Sequence, residues 1–291
     1  MHRIGNIFSV SAVLAGFLLS AFAVSAEETS TPDGPAFADT RPRSLETAVT
    51  ESPVLRIVVT DDFPPFAFVD GTGRLSGIHI ELARALCQTM NRLCTVQARR
   101  SDRVIEALED GTADIAIAGI AVNTATRARL DFTEPYFRFP ARLVAVEEAA
   151  GEAGAEAEAG TVAVIAGSAH EAYLKRFRPD LVLLPLEDGA ALRSALSEGR
   201  VALGFADGVD MAFFLASAEG SACCRFAGGP FFDADYFGHG LRIALAPGRS
   251  GLRVALDGAL AGIAANGTLH DILQRAFPVD PFSGWEPPVL P

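Results

Sequence analysis

The chain has 291 residues, 49% hydrophobic and 21% charged, with 24 Lys and Arg against 36 Asp and Glu for a formal net charge of −12. That length supports one large or two medium domains. The acidic excess without a basic cluster argues against nucleic acid and anionic membrane surfaces as partners. The His residues are scattered singles without metal-ligand spacing, and no phosphate loop or nucleophile elbow is present, so neither metal nor cofactor is expected.

Residues 1–26 carry one Arg near the start, then an apolar run ending in small residues, which reads as a signal peptide cut after Ala23 or Ala26. The competing reading is a retained membrane anchor, because the run approaches the roughly 18 apolar residues of a spanning helix. Glu27 and Glu28 directly after the junction favour removal and an exported, soluble chain. Residues 27–52 are polar, rich in Pro and Thr and without periodicity, a flexible leader.

Order is expected from Val54. VLRIVVT is a β-branched run of the buried-strand type, and IELARALCQTM has helical spacing with Gly77 at its entry. CTVQAR reads as a strand, DRVIEALEDG as a helix ending at Gly111, and ADIAIAG as a third strand. The stretch 147–160 is almost wholly Ala, Glu and Gly, a surface insert. The alternation then restarts: TVAVIAG, LVLLPL and VALGFAD as strands, SAHEAYLKRF and GAALRSALSEG as helices. A further strand, GLRIALAPG, precedes two helices, SGLRVALDGALAGIAANG and LHDILQRAF. Strands and helices alternating at this spacing make βαβ units in two α/β lobes, with a ligand expected outside the carboxyl ends of parallel strands.

Export permits disulfides. A bridge between Cys87 and Cys94 would pin the end of a helix to the following strand. The adjacent Cys223 and Cys224 read either as a vicinal disulfide or as two small buried thiols.

Five stretches occur in order between Val54 and Phe282: TDDFPPFAFVDGTGRLSGIHIELARALC, ADIAIAGIAVNTATRARLDFTEPYF, GSAHEAYL, ALSEGRVALGFAD and YFGHGLRIALAPG. Together they resemble the bacterial extracellular solute-binding proteins of family 3, the periplasmic amino-acid-binding components of ABC transporters. The resemblance is to the lysine/arginine/ornithine- and histidine-binding branch. It implies an α/β, two-lobed periplasmic binding protein type II (Venus-flytrap) fold with the ligand cleft between lobes. Lobe 1 would be 53–143 plus 237–291 and lobe 2 would be 144–236, with crossing strands near 143–146 and 236–244. It also implies the Cys87–Cys94 bridge found in that branch, and a monomer that takes a small-molecule ligand to an ABC permease in the inner membrane.

The same resemblance suggests residue roles. A guanidinium grips a carboxylate with two parallel hydrogen bonds, and Arg127 is the candidate. A gap-free count puts the family's Arg position on Thr126, so Arg127 stands one residue late, about 100° around a helix; the alternative is a surface arginine. Arg129 reads as structural. Gly119 and Ala121 stand where the family often has Ser or Thr, although the Ala121 N–H remains a donor. Ser168 and Ala169 open a helix whose free N–H groups attract anions. Asp207 matches the carboxylate that pairs with a ligand ammonium; its alternative role is a helix cap. Phe63 matches an aromatic that covers the ligand side chain, and Asp61 could meet a ligand cation. Ser101 replaces a larger residue and enlarges or wets the pocket, and His79 replaces an Asp in a structural turn. No catalytic residue is expected. Two alternatives share the fold: a cyclohexadienyl or prephenate dehydratase-like enzyme with Glu171 as general acid, and a stand-alone ligand-sensing module.

Overall fold

Strand and helix alternate through the chain and gather into two five-stranded sheets. A computed structural model describes residues 54–147 and 161–284. The expected signal segment, the leader and all of the insert after Glu147 lie outside the described residues.

The first sheet runs in the order Leu93–Ala98, Val54–Val59, Ile115–Ala116, Ala244–Leu245, Asp131–Phe132. Its first three strands are parallel, and Ala244–Leu245 is antiparallel to both neighbours. The helix Ile78–Thr89 buries Ile78, Ile80, Leu82, Ala83 and Leu86, the apolar stripe its sequence period requires. They pack with Leu55, Ile57, Val59, Ile115 and the C-terminal helices Ser250–Ala265 and Thr268–Ala276. Each such Leu, Ile or Val side chain, fully buried, stabilises by about 1.5–3 kcal/mol. Val104, Leu108 and Leu130 cover the opposite face. The Cys87–Cys94 disulfide ties the end of Ile78–Thr89 to Leu93–Ala98.

The second sheet runs Val182–Leu186, Thr161–Ile165, Leu203–Asp207, Ala141–Val146, Cys224–Phe231. Helices Gly189–Ser197 and Gly208–Ala216 pack their buried Leu192, Leu196, Met211 and Phe214 on it. Cys223 and Cys224 form a vicinal disulfide where Cys224–Phe231 begins.

Two boundaries differ from those expected. Ala141–Val146 pairs wholly within the second sheet, so the first crossing between lobes falls before Ala141 and not at 143–146. The two crossings are bonded to each other at Phe137 and Leu241, with Leu241 N–H donating to Phe137 O at 2.8 Å. The chain end, expected wholly with lobe 1, also binds the second sheet. Arg142, 1% exposed, donates to the carbonyls of Pro281 (3.1 Å), Ser283 (2.6 Å) and Gly228 (2.9 Å). Its guanidinium lies 4.2 Å from the Phe226 ring centroid. A buried cation needs acceptors for its donors. Pro281 and Ser283 of the tail supply two and Gly228 a third, Nε alone lacking a partner among the described residues. This draws the tail across to the second sheet.

Candidate functional site

Leu203–Asp207 runs antiparallel to Ala141–Val146 with Asp207 opposite Ala141, which brings the end of one strand beside the lobe crossing. The approach is close: Gly208 N–H donates to Pro140 O at 2.7 Å. A Cβ on Gly208 would lie 2.7 Å from Arg142 Cγ and 2.8 Å from Pro140 O, so only glycine fits. Around this junction lies a cavity of about 230 Å³ lined by Phe139, Pro140, Ala141, Ala169, His170, Asp207, Tyr236 and Phe237.

Asp207 caps the helix Gly208–Ala216, its Oδ1 accepting from Val209 N–H (2.9 Å) and Asp210 N–H (3.0 Å). The structure thus shows the capping role weighed for it. Oδ2 takes no hydrogen bond from the described residues and remains available. Burial pushes the Asp207 carboxyl above its ordinary value, opposed by the two N–H bonds and reinforced by the Asp210 carboxylate.

Across the cavity, Ser168 caps the helix Ala169–Phe177, its Oγ accepting from Glu171 N–H at 3.2 Å. Glu171 reaches back to Gly167 N–H at 2.7 Å and pairs with Lys175 at 2.6 Å. Lys175 first, then the Gly167 N–H, hold the Glu171 carboxyl below its ordinary value. The N–H groups of Ala169 and His170 have no acceptor among the described residues, so the helix start keeps a positive end on the cavity wall. Burial lowers the His170 pKa to about 4, which leaves its ring neutral at pH 7.

The other predicted residues lie on lobe 1. The Phe63 ring sits directly over Gly119, where a Cβ would fall 2.8 Å from Phe63 Cε1; the backbone there is left-handed, with φ +66°. Phe63 stacks on buried Phe66 at 4.8 Å. Behind them His79 is fully buried, bonded to the Tyr136 hydroxyl at 2.8 Å, and burial lowers its pKa to about 3. Asp61 is exposed; its neighbour Asp62 is the acid that meets Ser101, whose hydroxyl donates at 3.1 Å.

The stretch NTATR forms the single turn Thr124–Arg127. Thr126 is consumed by the cap: its hydroxyl donates to Ala121 O at 2.7 Å and accepts from Asn123 N–H at 3.0 Å. Arg129 makes two 2.7 Å bonds to Glu109. Arg127 is exposed, and its guanidinium has no partner among the described residues. The structure therefore brings Phe63 to Gly119, and Asp207 to Ala169. No described contact joins Arg127 to Asp207.

Phe139, Pro140, Tyr236 and Phe237 were not anticipated as site residues. A signal existed in FRFPAR, where aromatics flank a proline at the lobe crossing, and in YFGHG. Only the fold places the two beside each other.

Residues 55–279 match the bacterial extracellular solute-binding proteins, family 3. The chain belongs to that family. Among relatives of this solute-binding protein, the L-arginine-binding protein of Pseudomonas aeruginosa is 28% identical over 240 residues, covering 81% of this chain and 92% of that one. The fold matches the unliganded open L-cystine solute receptor of Neisseria gonorrhoeae at TM-score 0.66 and 19% identity, over 81% and 98% of the two chains. It also matches an ancestral cyclohexadienyl dehydratase at TM-score 0.63 and 18% identity, over 77% and 92%. The solute-binding architecture is the two-lobed type II periplasmic binding protein fold. Among the described residues no helix is long and apolar enough to cross a membrane, and no group of His, Cys, Asp and Glu is arranged to hold a metal ion.

Proposed function

We propose that this protein is exported to the periplasm, captures an amino acid or related small amine-carboxylate, and delivers it to an ABC permease in the inner membrane. One observation carries the reading. A carboxylate with a free oxygen (Asp207) and a helix start with free N–H groups (Ala169, His170) line one cavity. Those two charges complement the two ends of a zwitterion, each of which needs a partner when water leaves. Phe63 over Gly119 supplies an apolar face on lobe 1, and closure would bring Arg127 toward the ligand carboxylate. The match to arginine-binding relatives supports an amino-acid ligand.

The chain reads as non-catalytic. A dehydratase needs a general acid to expel hydroxide as water, and Glu171, the residue placed for that role, is held as a carboxylate by Lys175 and Gly167.

Titration calorimetry of the chain, unfolded and refolded to strip carried ligand, tests the reading. L-Arginine and the other common amino acids would be compared with their decarboxylated and deaminated counterparts. We expect one amino acid to bind and to lose at least an order of magnitude in affinity when either charged end is removed, the worth of one charged hydrogen bond. Equal binding of the decarboxylated amine would remove the helix start from the site, and binding of no compound would sink the amino-acid reading.

A further inference from the structure

The cavity at Asp207 has more aromatic wall than a primary ammonium requires, and no side-chain acceptor to spare. Four of its eight lining residues are rings: Phe139, His170, Tyr236 and Phe237. They are held in place from behind. Phe139 packs edge-on against Phe137 at 5.0 Å, Phe237 stacks on His170 at 5.1 Å, and Tyr236 meets Tyr173 at 5.4 Å.

A primary ammonium carries three N–H donors, and each left unpaired in a desolvated site is costly. Here Asp207 Oδ2 is free, but Oδ1 already holds two backbone N–H groups. Pro140 O holds Gly208 N–H. Besides Asp207, only the Tyr236 hydroxyl and the neutral His170 ring are lining side chains that can accept from a primary ammonium, so it is fully paired only where all three groups turn to one point. The Ala169 side of the wall offers donors. From lobe 1, Gly119 and Ala121 contribute no hydroxyl. N-alkyl groups remove donors, keep the positive charge and are drawn to ring faces. The neutral state of His170 means that its ring does not repel a cation.

We propose that the ligand is an N-alkylated ammonium carboxylate, the N,N,N-trimethylated amino acid being the limiting case. The Asp207 carboxylate neutralises the charge while Phe139, Tyr236 and Phe237 pack against the N-methyl groups. This rests on the zwitterion reading above and narrows its amine end.

The test is calorimetric titration of the full refolded chain with glycine, N-methylglycine, N,N-dimethylglycine and N,N,N-trimethylglycine, and with L-proline against N,N-dimethyl-L-proline. Affinity should rise with methylation, on the order of tenfold from the unmethylated to the fully methylated member of each series. In Phe139→Ala and in Tyr236→Ala, each checked for a cooperative melt, that gain should shrink several-fold. Tighter binding of the unmethylated member of either pair, or of L-arginine above all of them, overturns the proposal and leaves the zwitterion reading standing. A methylation gain that persists in both variants also overturns it. Binding of no compound, L-arginine included, overturns both.

Discussion

Asp207→Asn and Asp207→Ala separate the two tasks that one carboxylate performs. Asn caps a helix about as well as Asp, whereas Ala loses about 1 kcal/mol of cap. For a chain of this size that is about 2–4 °C in Tm. The stability sign for Asn follows from the raised carboxyl pKa. A group whose folded pKa lies above its unfolded value contributes stability that is full below the unfolded pKa and is lost as pH rises through the folded value. Above the folded value that contribution is gone, so removing the charge there costs nothing, and Asn should melt at or above the parent. Binding behaves oppositely. A charged hydrogen bond is worth about 1.5–3 kcal/mol, so both variants should lose roughly 10- to 150-fold in affinity. In the parent, affinity should fall as pH drops through a value above the ordinary carboxylate range. Asp210, paired with Arg193 at 2.9 Å, and the neutral His170 ring are the titratable neighbours to control for. Calorimetry and thermal melts on the three proteins decide it. Wild-type affinity in Asp207→Asn would refute the ligand role, and a Tm loss equal to that of Ala would refute the separation.

Gly119→Ala forces a Cβ to 2.8 Å from the Phe63 ring at φ +66°. It should cost about 1–2 kcal/mol in a denaturant titration and weaken ligand binding by displacing Phe63. Removing the Cys87–Cys94 bridge by double Ser substitution should cost about 2–3 kcal/mol for so short a loop, read as a Tm loss matched by adding reductant to the parent. Arg142→Met leaves the carbonyls of Gly228, Pro281 and Ser283 without their donor, with partial relief because burial already lowers the Arg142 pKa to about 10. A net loss of about 1–3 kcal/mol is expected, with faster proteolysis after Phe277; an unchanged cleavage rate would show that the tail is held elsewhere. Asp114, bonded to Arg56 and Arg249, is held below its ordinary value by the Arg56 hydrogen bonds against desolvation. Its stability contribution is present above the usual carboxylate range and is lost as pH falls through the depressed value, so Asp114→Asn should flatten the acid limb of a stability profile.

The residues themselves determined most of the elements and the fold class. The short β-branched runs VLRIVVT and TVAVIAG read as buried strands, and the 3.6-residue stripe of IELARALCQTM as a helix with one face turned to the core. The short motifs spoke equally plainly about the family. What they left open were matters of direction and distance. Thr126 or Arg127, cap or ligand carboxylate for Asp207: each pair differs by a rotation or a single bond that local spacing does not encode. The cavity wall shows the same limit at longer range. Phe139 and Phe237 are nearly a hundred residues apart, and neither FRFPAR nor YFGHG names the other. Gly208 lets the backbone at Pro140 approach to a 2.7 Å hydrogen bond, and the crossings pair at Phe137 and Leu241. Only that tertiary closure makes one site of them, because contacts between distant segments depend on how whole sheets and crossings pack, and no local pattern carries that information.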